Sequence, residues 1–432
     1  MKKYCCATFI FLISLVFIIY SVNFYFLSRL SRQDSNKIKS KLNSHEIFEY
    51  NDIEDERINH ENVKLKTIYR NRNPKYTSLK DKLINNYKPC NRSLNFSQIW
   101  ETVDSWSRET SNEIYPAYSS RMCQFLSALR EVKILSAQNF RKGTQLKLNF
   151  TIEGGKTVVF KPAWYNRNQV IEGEVYAGKD RHNSEIFAFY LGAVLNFRST
   201  GLVVGRSINI RDILEIADKE LRETIISKGN GTKLCVYGKC FYCKPSESVC
   251  GNKTHYIEGA FLYEISGPLQ KHKSPWQRTY KEGAKALWEI ESDNNNYCDN
   301  VKQKLSLVRL LDLIDASIFD FLIQNGDRHH YETRKNRVIL LDNGKGFANF
   351  RTDFTDILAP LYQCCLIRKT TYARLLVFTG GALTEILKEL TKNDLLHPIL
   401  IDKHYYALER RLLKIFSMIE FCKTKYGNSI FQ

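Results

Sequence analysis

The stretch Ile323-Gln324-Asn325-Gly326-Asp327-Arg328-His329-His330-Tyr331-Glu332, followed fifteen residues after Asp327 by Asp342-Asn343-Gly344, constrains this chain more than any other. Leu307, Leu311, Ile314, Ile318 and Phe321 recur at three- and four-residue spacing, so a helix with one apolar face precedes it. That helix delivers Asp327 into a polar loop. The apolar run at residues 338–341 reads as a short strand and delivers Asp342 at its end. Two carboxylates at neighbouring element ends, one to orient a hydroxyl and one to hold a metal, are what phosphoryl transfer needs. Taken alone, the segment reads equally as a hairpin with two solvated aspartates.

The 432 residues, 43% hydrophobic and 12% aromatic, suffice for one large or two-lobed domain with a substantial core. After Met1-Lys2-Lys3 the chain is apolar over residues 7–27. A helix of that length spans about 31 Å, the depth of a bilayer core. No small-residue cleavage site follows, so residues 7–27 read as an uncleaved transmembrane signal anchor behind a cytoplasmic tail of residues 1–6. Basic residues on both sides leave the charge rule silent about orientation. Five Asn-x-Ser/Thr sequons, at Asn91, Asn95, Asn149, Asn230 and Asn252, are usable only in the secretory lumen. Ten of the twelve cysteines lie beyond the anchor, and Cys235, Cys240, Cys243 and Cys250 cluster. In a reducing cytosol that cluster suggests zinc; behind a signal anchor it suggests disulfides. The expectation is a single-pass type II membrane protein with a lumenal C-terminal domain.

Residues 28–95 are polar and charged, with an acidic knot at Glu54-Asp55-Glu56 and no apolar period, and read as a flexible lumenal stem. The net charge of +18 comes partly from this stem. It suits sulfated glycans or anionic lipid, and equally a solvated basic surface; no nucleic-acid partner is expected. Near Trp100 the folded domain begins. Lys142-Gly143-Thr144-Gln145-Leu146-Lys147-Leu148 leads into an alternating strand, Gly154-Gly155 turns, and residues 157–162 return. Lys161 ends that strand beneath a glycine-bearing hairpin, placed to reach a nucleotide's phosphates or simply exposed on an edge. Glu185 opens a helix whose face is Ile186, Phe189, Tyr190 and Ala193. It is either a capping carboxylate or the acidic partner of Lys161 and of a metal. Residues 256–264 form an extended segment suited to link two lobes, and a helix-rich region over 371–422 completes a helical lobe.

The order is therefore glycine hairpin, strand lysine, helix glutamate, linking strand, long helix, acidic loop, strand and Asp-Asn-Gly. Over residues 100–422 this resembles the atypical secretory-pathway kinases related to four-jointed. Seven strings carry the resemblance in order: Gly143-Thr144-Gln145-Leu146, Phe160-Lys161-Pro162, Asp180-Arg181-His182-Asn183, Tyr237-Gly238-Lys239-Cys240, the Asp327 to Glu332 loop, Leu341-Asp342-Asn343-Gly344 and Gln363-Cys364-Cys365. It implies an α+β, atypical two-lobed protein-kinase-like fold, with a β-rich N-terminal lobe over residues 96–258 and a helical C-terminal lobe over 259–432. It places the protein, disulfide-stapled and behind its anchor, in the Golgi membrane.

The resemblance also implies roles. Asp327 would be the catalytic aspartate that accepts or aligns the attacking hydroxyl's proton. Asp342 would bind the divalent metal on the nucleotide phosphates, with Glu185 as second ligand. Lys161 and Gln145 would contact ATP beneath the glycine hairpin, Leu262, Tyr263, Glu264 and Ile265 would lie beside adenine, and Glu332 looks nucleotide-linked. Glu185, Glu332 and Asp342 beside ATP repel one another without a cation, so Mn2+ or Mg2+ is expected. The implied disulfides are Cys235–Cys250, Cys240–Cys243, Cys298–Cys364 and Cys365–Cys422. Cys90 and Cys123 lie outside the family pattern; they pair with each other, staple stem to lobe, or bridge two chains in a homo-oligomer. His329 and His330 read as structural loop residues rather than zinc ligands.

The family divides into a branch that phosphorylates xylose, a branch of protein serine kinases, and activators without catalysis. An activator is expected to have lost Lys161, Glu185, Asp327 or Asp342, and all four are present. Residues 170–178, 268–276 and 358–363 resemble the xylose branch more than the serine-kinase branch. Tyr176 and Trp276 within them suit stacking on a sugar face, and equally suit a core. The expected reaction moves the γ-phosphate of ATP to the 2-hydroxyl of the xylose that begins the glycosaminoglycan linker on proteoglycans. Phosphorylation of secretory proteins on serine is the alternative.

Overall fold

The structure, a computed structural model, describes residues 67–91, 93, 95–108, 113–281, 283–290 and 297–432. The expected cytoplasmic tail, anchor and most of the expected stem lie outside the described residues. Among the described helices none is long and apolar enough to cross a membrane.

The strands are β1 (Ile134–Asn139), β2 (Leu148–Ile152), β3 (Lys156–Pro162), β4 (Val203–Asn209), β5 (Ile225–Lys228), β6 (Lys233–Val236), β7 (Val249–Cys250), β8 (Tyr256–Tyr263), β9 (Gln270–Lys273), β10 (His330–Arg334) and β11 (Arg337–Ile339). Alternation builds the main sheet. Leu148, Phe150 and Ile152 of β2 and Val158 and Phe160 of β3 are buried, while the residues between them are only half-buried. Gly154 and Gly155, both at positive φ, turn the chain between the two strands. A Cβ on Gly154 would fall 2.5 Å from Trp100 Cδ1, so the turn needs glycine for space as well as for conformation. The sheet runs β1-β2-β3-β8-β4, antiparallel throughout. Smaller three-stranded sheets have the orders β5-β6-β7 and β11-β10-β9.

Among the described residues, the helices around the sheet and the region after it include α1 (Tyr76–Tyr87), α2 (Phe96–Arg108), α3 (Met122–Glu131), α4 (His182–Val194), α5 (Leu307–Ile323), α6 (Ala382–Thr391) and α7 (Asp402–Tyr426). Every residue of α4 is buried, with the helix against β4 and β8. The predicted apolar helix is α5. Ser306 caps it by accepting from the Arg309 N–H, and Gln324 closes it in the left-handed conformation. Its residues from Leu310 onward are buried, partly against α7.

Two boundaries differ from the sequence reading. The fold includes residues that reading assigns to the stem: Tyr69, Tyr76, Leu83 and Tyr87 are each at most 2% exposed. Tyr76, Leu79, Leu83 and Tyr87 recur at helical spacing within a Lys- and Asn-rich segment, and α1 packs them toward α6. Tyr69 stacks on Phe416 at 4.4 Å. The boundary at 258/259 falls inside β8, which pairs with β3 and β4 up to Tyr263. The four implied disulfides form, and Cys90 pairs with Cys123 within the chain, which removes these two cysteines as a bridge between chains.

Candidate active site

Three elements converge on Lys161. Strand β3 carries it, paired with Ala260 of β8, and buries it to 5% exposure. The first turn of α4 supplies Glu185. The loop after Leu341 supplies Asp342, which holds the left-handed conformation at φ 56°, a strain that clusters at functional sites. Arg181, at the N-cap of α4, fastens that loop to the helix. Its N–H donates to the Gly344 carbonyl at 2.7 Å, its Nε to the Gly346 carbonyl at 2.7 Å, and its guanidinium also to the Lys345 carbonyl. Ser184 Oγ donates to the Asn343 carbonyl at 2.6 Å. A Cβ on Gly344 would stand 2.7 Å from Asp180 Cβ, and one on Gly346 2.3 Å from Ser184 Oγ. These glycines are therefore required by close approach.

Lys161 Nζ donates to Glu185 and, at 2.5 Å, to Asp342 Oδ1, and lies 3.6 Å from Asp180. Burial works to lower its pKa, but Asp342, Glu185 and Asp180 together hold it well above the ordinary lysine value. Lys161 first, then Lys147 at 3.9 Å, hold the Asp342 carboxyl well below the usual carboxylate range, although that side chain is 66% exposed. Three carboxylates against the ammoniums of Lys161 and Lys147 leave the cluster one negative charge in excess, and all its carboxylate donors are hard oxygens. Among the described residues no three His, Cys, Asp or Glu side chains form a metal site on their own. Glu185 and Asp342 thus fit a Mg2+- or Mn2+-type ion whose remaining ligands come from phosphate oxygens and water.

Asp327 lies in a second loop, the one after α5, which is tied to the Asp342 loop. Asn325 Oδ1 accepts from the Asp327 N–H at 3.3 Å, and its Nδ2 donates to the Asp342 carbonyl at 3.4 Å. Arg328 makes a bidentate pair with Asp320 of α5 at 2.6 and 2.8 Å. It also donates to the Leu341 carbonyl at 2.6 Å and to Asn343 Oδ1 at 2.8 Å. One arginine thus ties the end of α5 to both acidic loops. A Cβ on Gly326 would stand 2.3 Å from Val175. The Asp327 carboxylate accepts from the Tyr280 hydroxyl at 2.6 Å, and His329 Nδ1 lies 3.7 Å from it. The hydrogen bond to Asp327 pushes the His329 pKa up, against partial burial.

Other expected site residues sit further from this centre. Gln145 accepts from the Asp180 N–H at 2.7 Å and so holds the turn before α4. Leu262 and Tyr263 end β8; the Tyr263 ring is committed to the core against Trp100 and Phe125, and Glu264 and Ile265 follow. Glu332 stands on β10 opposite Lys271 and Ile339, and its charge acts on Arg328. Among the described residues no hydrogen bond or ion pair joins it to Lys161, Glu185 or Asp342. Trp276 is 8% exposed and donates to Gln363 at 2.7 Å. Tyr176 packs its ring 4.7 Å from Tyr280. Tyr280 and Asn325 take part in the site without having been singled out; Asn325 lay within the acidic string, whereas nothing near Tyr280 in sequence marks it.

The family model described as "Fam20C: Golgi casein kinase, C-terminal, Fam20" matches residues 98–430. A glycosaminoglycan xylosylkinase homolog of Drosophila melanogaster is 47% identical over 97% of this chain and 96% of its own length. The glycosaminoglycan xylosylkinase of Homo sapiens is 42% identical over 76% of this chain and 81% of its own. The extracellular serine/threonine protein kinase FAM20C of Homo sapiens is 38% identical over 73% of this chain and 56% of its own. A solved structure of hydra Fam20 with sugar superposes at TM-score 0.73 with 39% identity, covering 77% of this chain and 98% of that one. A Golgi casein kinase with Mn/ADP bound superposes at 0.70 with 31% identity, covering 89% and 95%.

Proposed function

The chain belongs to the Fam20 kinase family, and from that premise we propose that it is an ATP-dependent kinase acting on the xylose 2-hydroxyl in the glycosaminoglycan–protein linkage of proteoglycans. The observation that carries this reading is the meeting of Lys161, Glu185 and Asp342 at one point, tied through Asn325 to the loop presenting Asp327. In the transfer the bond from the γ-phosphorus to the ADP oxygen breaks, the bond from xylose O2 to phosphorus forms, and the hydroxyl proton passes to Asp327. Lys161 would bind nucleotide phosphate, and Glu185 and Asp342 would hold the cation. Mn2+ or Mg2+, when bound, offsets phosphate charge and orients the γ-phosphoryl group. Gln145, Glu332 and the backbone of residues 262–265 serve the nucleotide, the Tyr263 ring being taken up by packing.

The xylose assignment follows the relatives, since both xylosylkinases exceed the serine/threonine kinase in identity and in coverage. Several finer readings accompany it: two lobes meeting after β8, residues 7–27 as a type II anchor in the Golgi membrane, a lumenal catalytic domain, and glycans on exposed sequons. Asn230, exposed between Gly229 and Gly231 at the β5–β6 turn, is the best placed of these. Asn149 sits within β2 with pairing strands on both sides.

The test offers residues 67–432, secreted, with labelled ATP and Mn2+, a galactosyl-xyloside and separately an acidic serine peptide. Label is expected on the xyloside, reduced ~100-fold or more in Asp327→Ala with the thermal midpoint unchanged. Label on the peptide alone assigns a serine kinase, and label on neither assigns a non-catalytic activator.

A further inference from the structure

Phosphoryl transfer leaves one feature of Asp327 without a role. The Tyr280 hydroxyl donates to Asp327 Oδ1 at 2.6 Å and lies 3.1 Å from His329 Nδ1. Its ring meets Tyr176 at 4.7 Å and 65°, and the His329 ring at 5.8 Å and 88°. Tyr280 is nonetheless 47% exposed as a residue, so burial of its ring alone does not force the contact. Residues from three segments thus brace one exposed phenol against one carboxylate: Tyr176 before α4, Tyr280 after β9, and His329 after α5.

The chemistry asks for this. A carboxylate that receives a proton from an acceptor hydroxyl must present one oxygen in a fixed direction, because misplacement by a fraction of an ångström costs rate. Asp327 has its backbone N–H held by Asn325, but Oδ1 needs a donor of its own to fix the side-chain rotamer. A phenol held edge-on by a neighbouring ring supplies one at little entropic cost. Partial burial and the bond to Asp327 hold the phenol's pKa well above its ordinary value, so it stays a neutral donor.

We propose that Tyr280 is a positioning residue: its hydroxyl grips Oδ1 of Asp327 and leaves Oδ2 directed to the acceptor hydroxyl, with Tyr176 bracing the ring. The proposal rests on Asp327 being the aspartate that takes the acceptor's proton. It commits Tyr280 to helping the transfer. A tyrosine that merely occupied the acceptor's place would hinder it.

The experiment compares the full chain with Tyr280→Phe, which keeps the ring and its contact with Tyr176, using whichever acceptor the native protein labels. The expected result is a kcat lower by about tenfold, equivalent to ~1.4 kcal/mol, with the KM for ATP and the thermal midpoint unchanged. In an Asp327→Asn background, where residual label is followed over long incubation, the same substitution is expected to change the rate less than ~2-fold, because its effect runs through that carboxylate. A kcat within ~2-fold of native overturns the proposal. A kcat that rises overturns it in favour of a blocking tyrosine, and an equal loss in both backgrounds overturns it in favour of a purely structural one. If the native chain labels no acceptor at all, the kinase reading falls and this inference with it; native turnover with an indifferent Tyr280→Phe sinks this inference alone.

Discussion

Asp342 concentrates the demands placed on single residues here. It takes a left-handed backbone, which a short polar side chain tolerates best after glycine, and brings its carboxylate within reach of both Lys161 and Lys147. Asp342→Asn keeps volume and backbone preference while removing one of three negative charges around Lys161. Affinity for ADP in the presence of Mn2+ is then expected to fall ~10-fold or more, with affinity in chelator unchanged or improved, as calorimetric titration would read. Mn-dependent affinity equal to native would take Asp342 out of the metal site. Lys161, Glu185, Asp327 and Asp342 were legible in sequence because each lies in a short string whose neighbours serve the same site: Arg181, Ser184, Asn325 and Arg328 all appear as the struts of the geometry. Tyr280 was not legible. It is one of 24 tyrosines, and its partner lies 47 residues further along the chain.

At the scale of elements, periodicity identified β2, β3, α4 and α5, each with a strong apolar pattern. It failed at α1, where three buried apolar positions, Tyr76, Leu83 and Tyr87, are diluted by lysines and asparagines and the burying partner, α6, comes some 300 residues later. The expected lobe boundary at 258/259 falls inside an element for a related reason: β8 reads as a connector by its position in the order, yet lies between β3 and β4 in the sheet. The position of α1 has a consequence for stability. Tyr69, Tyr76, Leu83 and Tyr87 are buried, and each such side chain contributes about 1.5–3 kcal/mol on leaving water. A domain's net stability is only about 5–15 kcal/mol. A chain beginning at residue 96 also loses Cys90 and leaves Cys123 unpaired. It is expected to aggregate or to melt ~10 °C or more below one beginning at residue 67. Equal thermal midpoints for the two would return α1 to the stem.

Across the whole molecule, buried ion pairs hold the helical part together. Asp353 is gripped by Arg410, Arg411 and Lys414. Asp312 and Asp315 of α5 take Arg337 and Arg368, and line a cavity of about 580 Å3 that includes none of the Lys161 or Asp327 groups. Asp353 and Asp315 respond oppositely to acid: against burial, Arg411, Arg410 and Lys414 hold the Asp353 carboxyl below the usual carboxylate range. Burial raises Asp315 to about 6, with Arg368 and Thr371 opposing it incompletely; an unfolded aspartate titrates near ~4. The folded chain therefore binds this proton more tightly than the unfolded chain. Its contribution is complete below pH ~4 and is lost as pH rises through about 6. An asparagine, which keeps the shape and does not titrate, is blind to that change. Between pH 7 and pH 5 the stability of the native chain relative to Asp315→Asn should thus improve by ~1 kcal/mol, measured as the difference in denaturation midpoints at the two pH values. A difference that stays constant would place the Asp315 titration at or below its ordinary value, with the Arg368 pair at least offsetting burial.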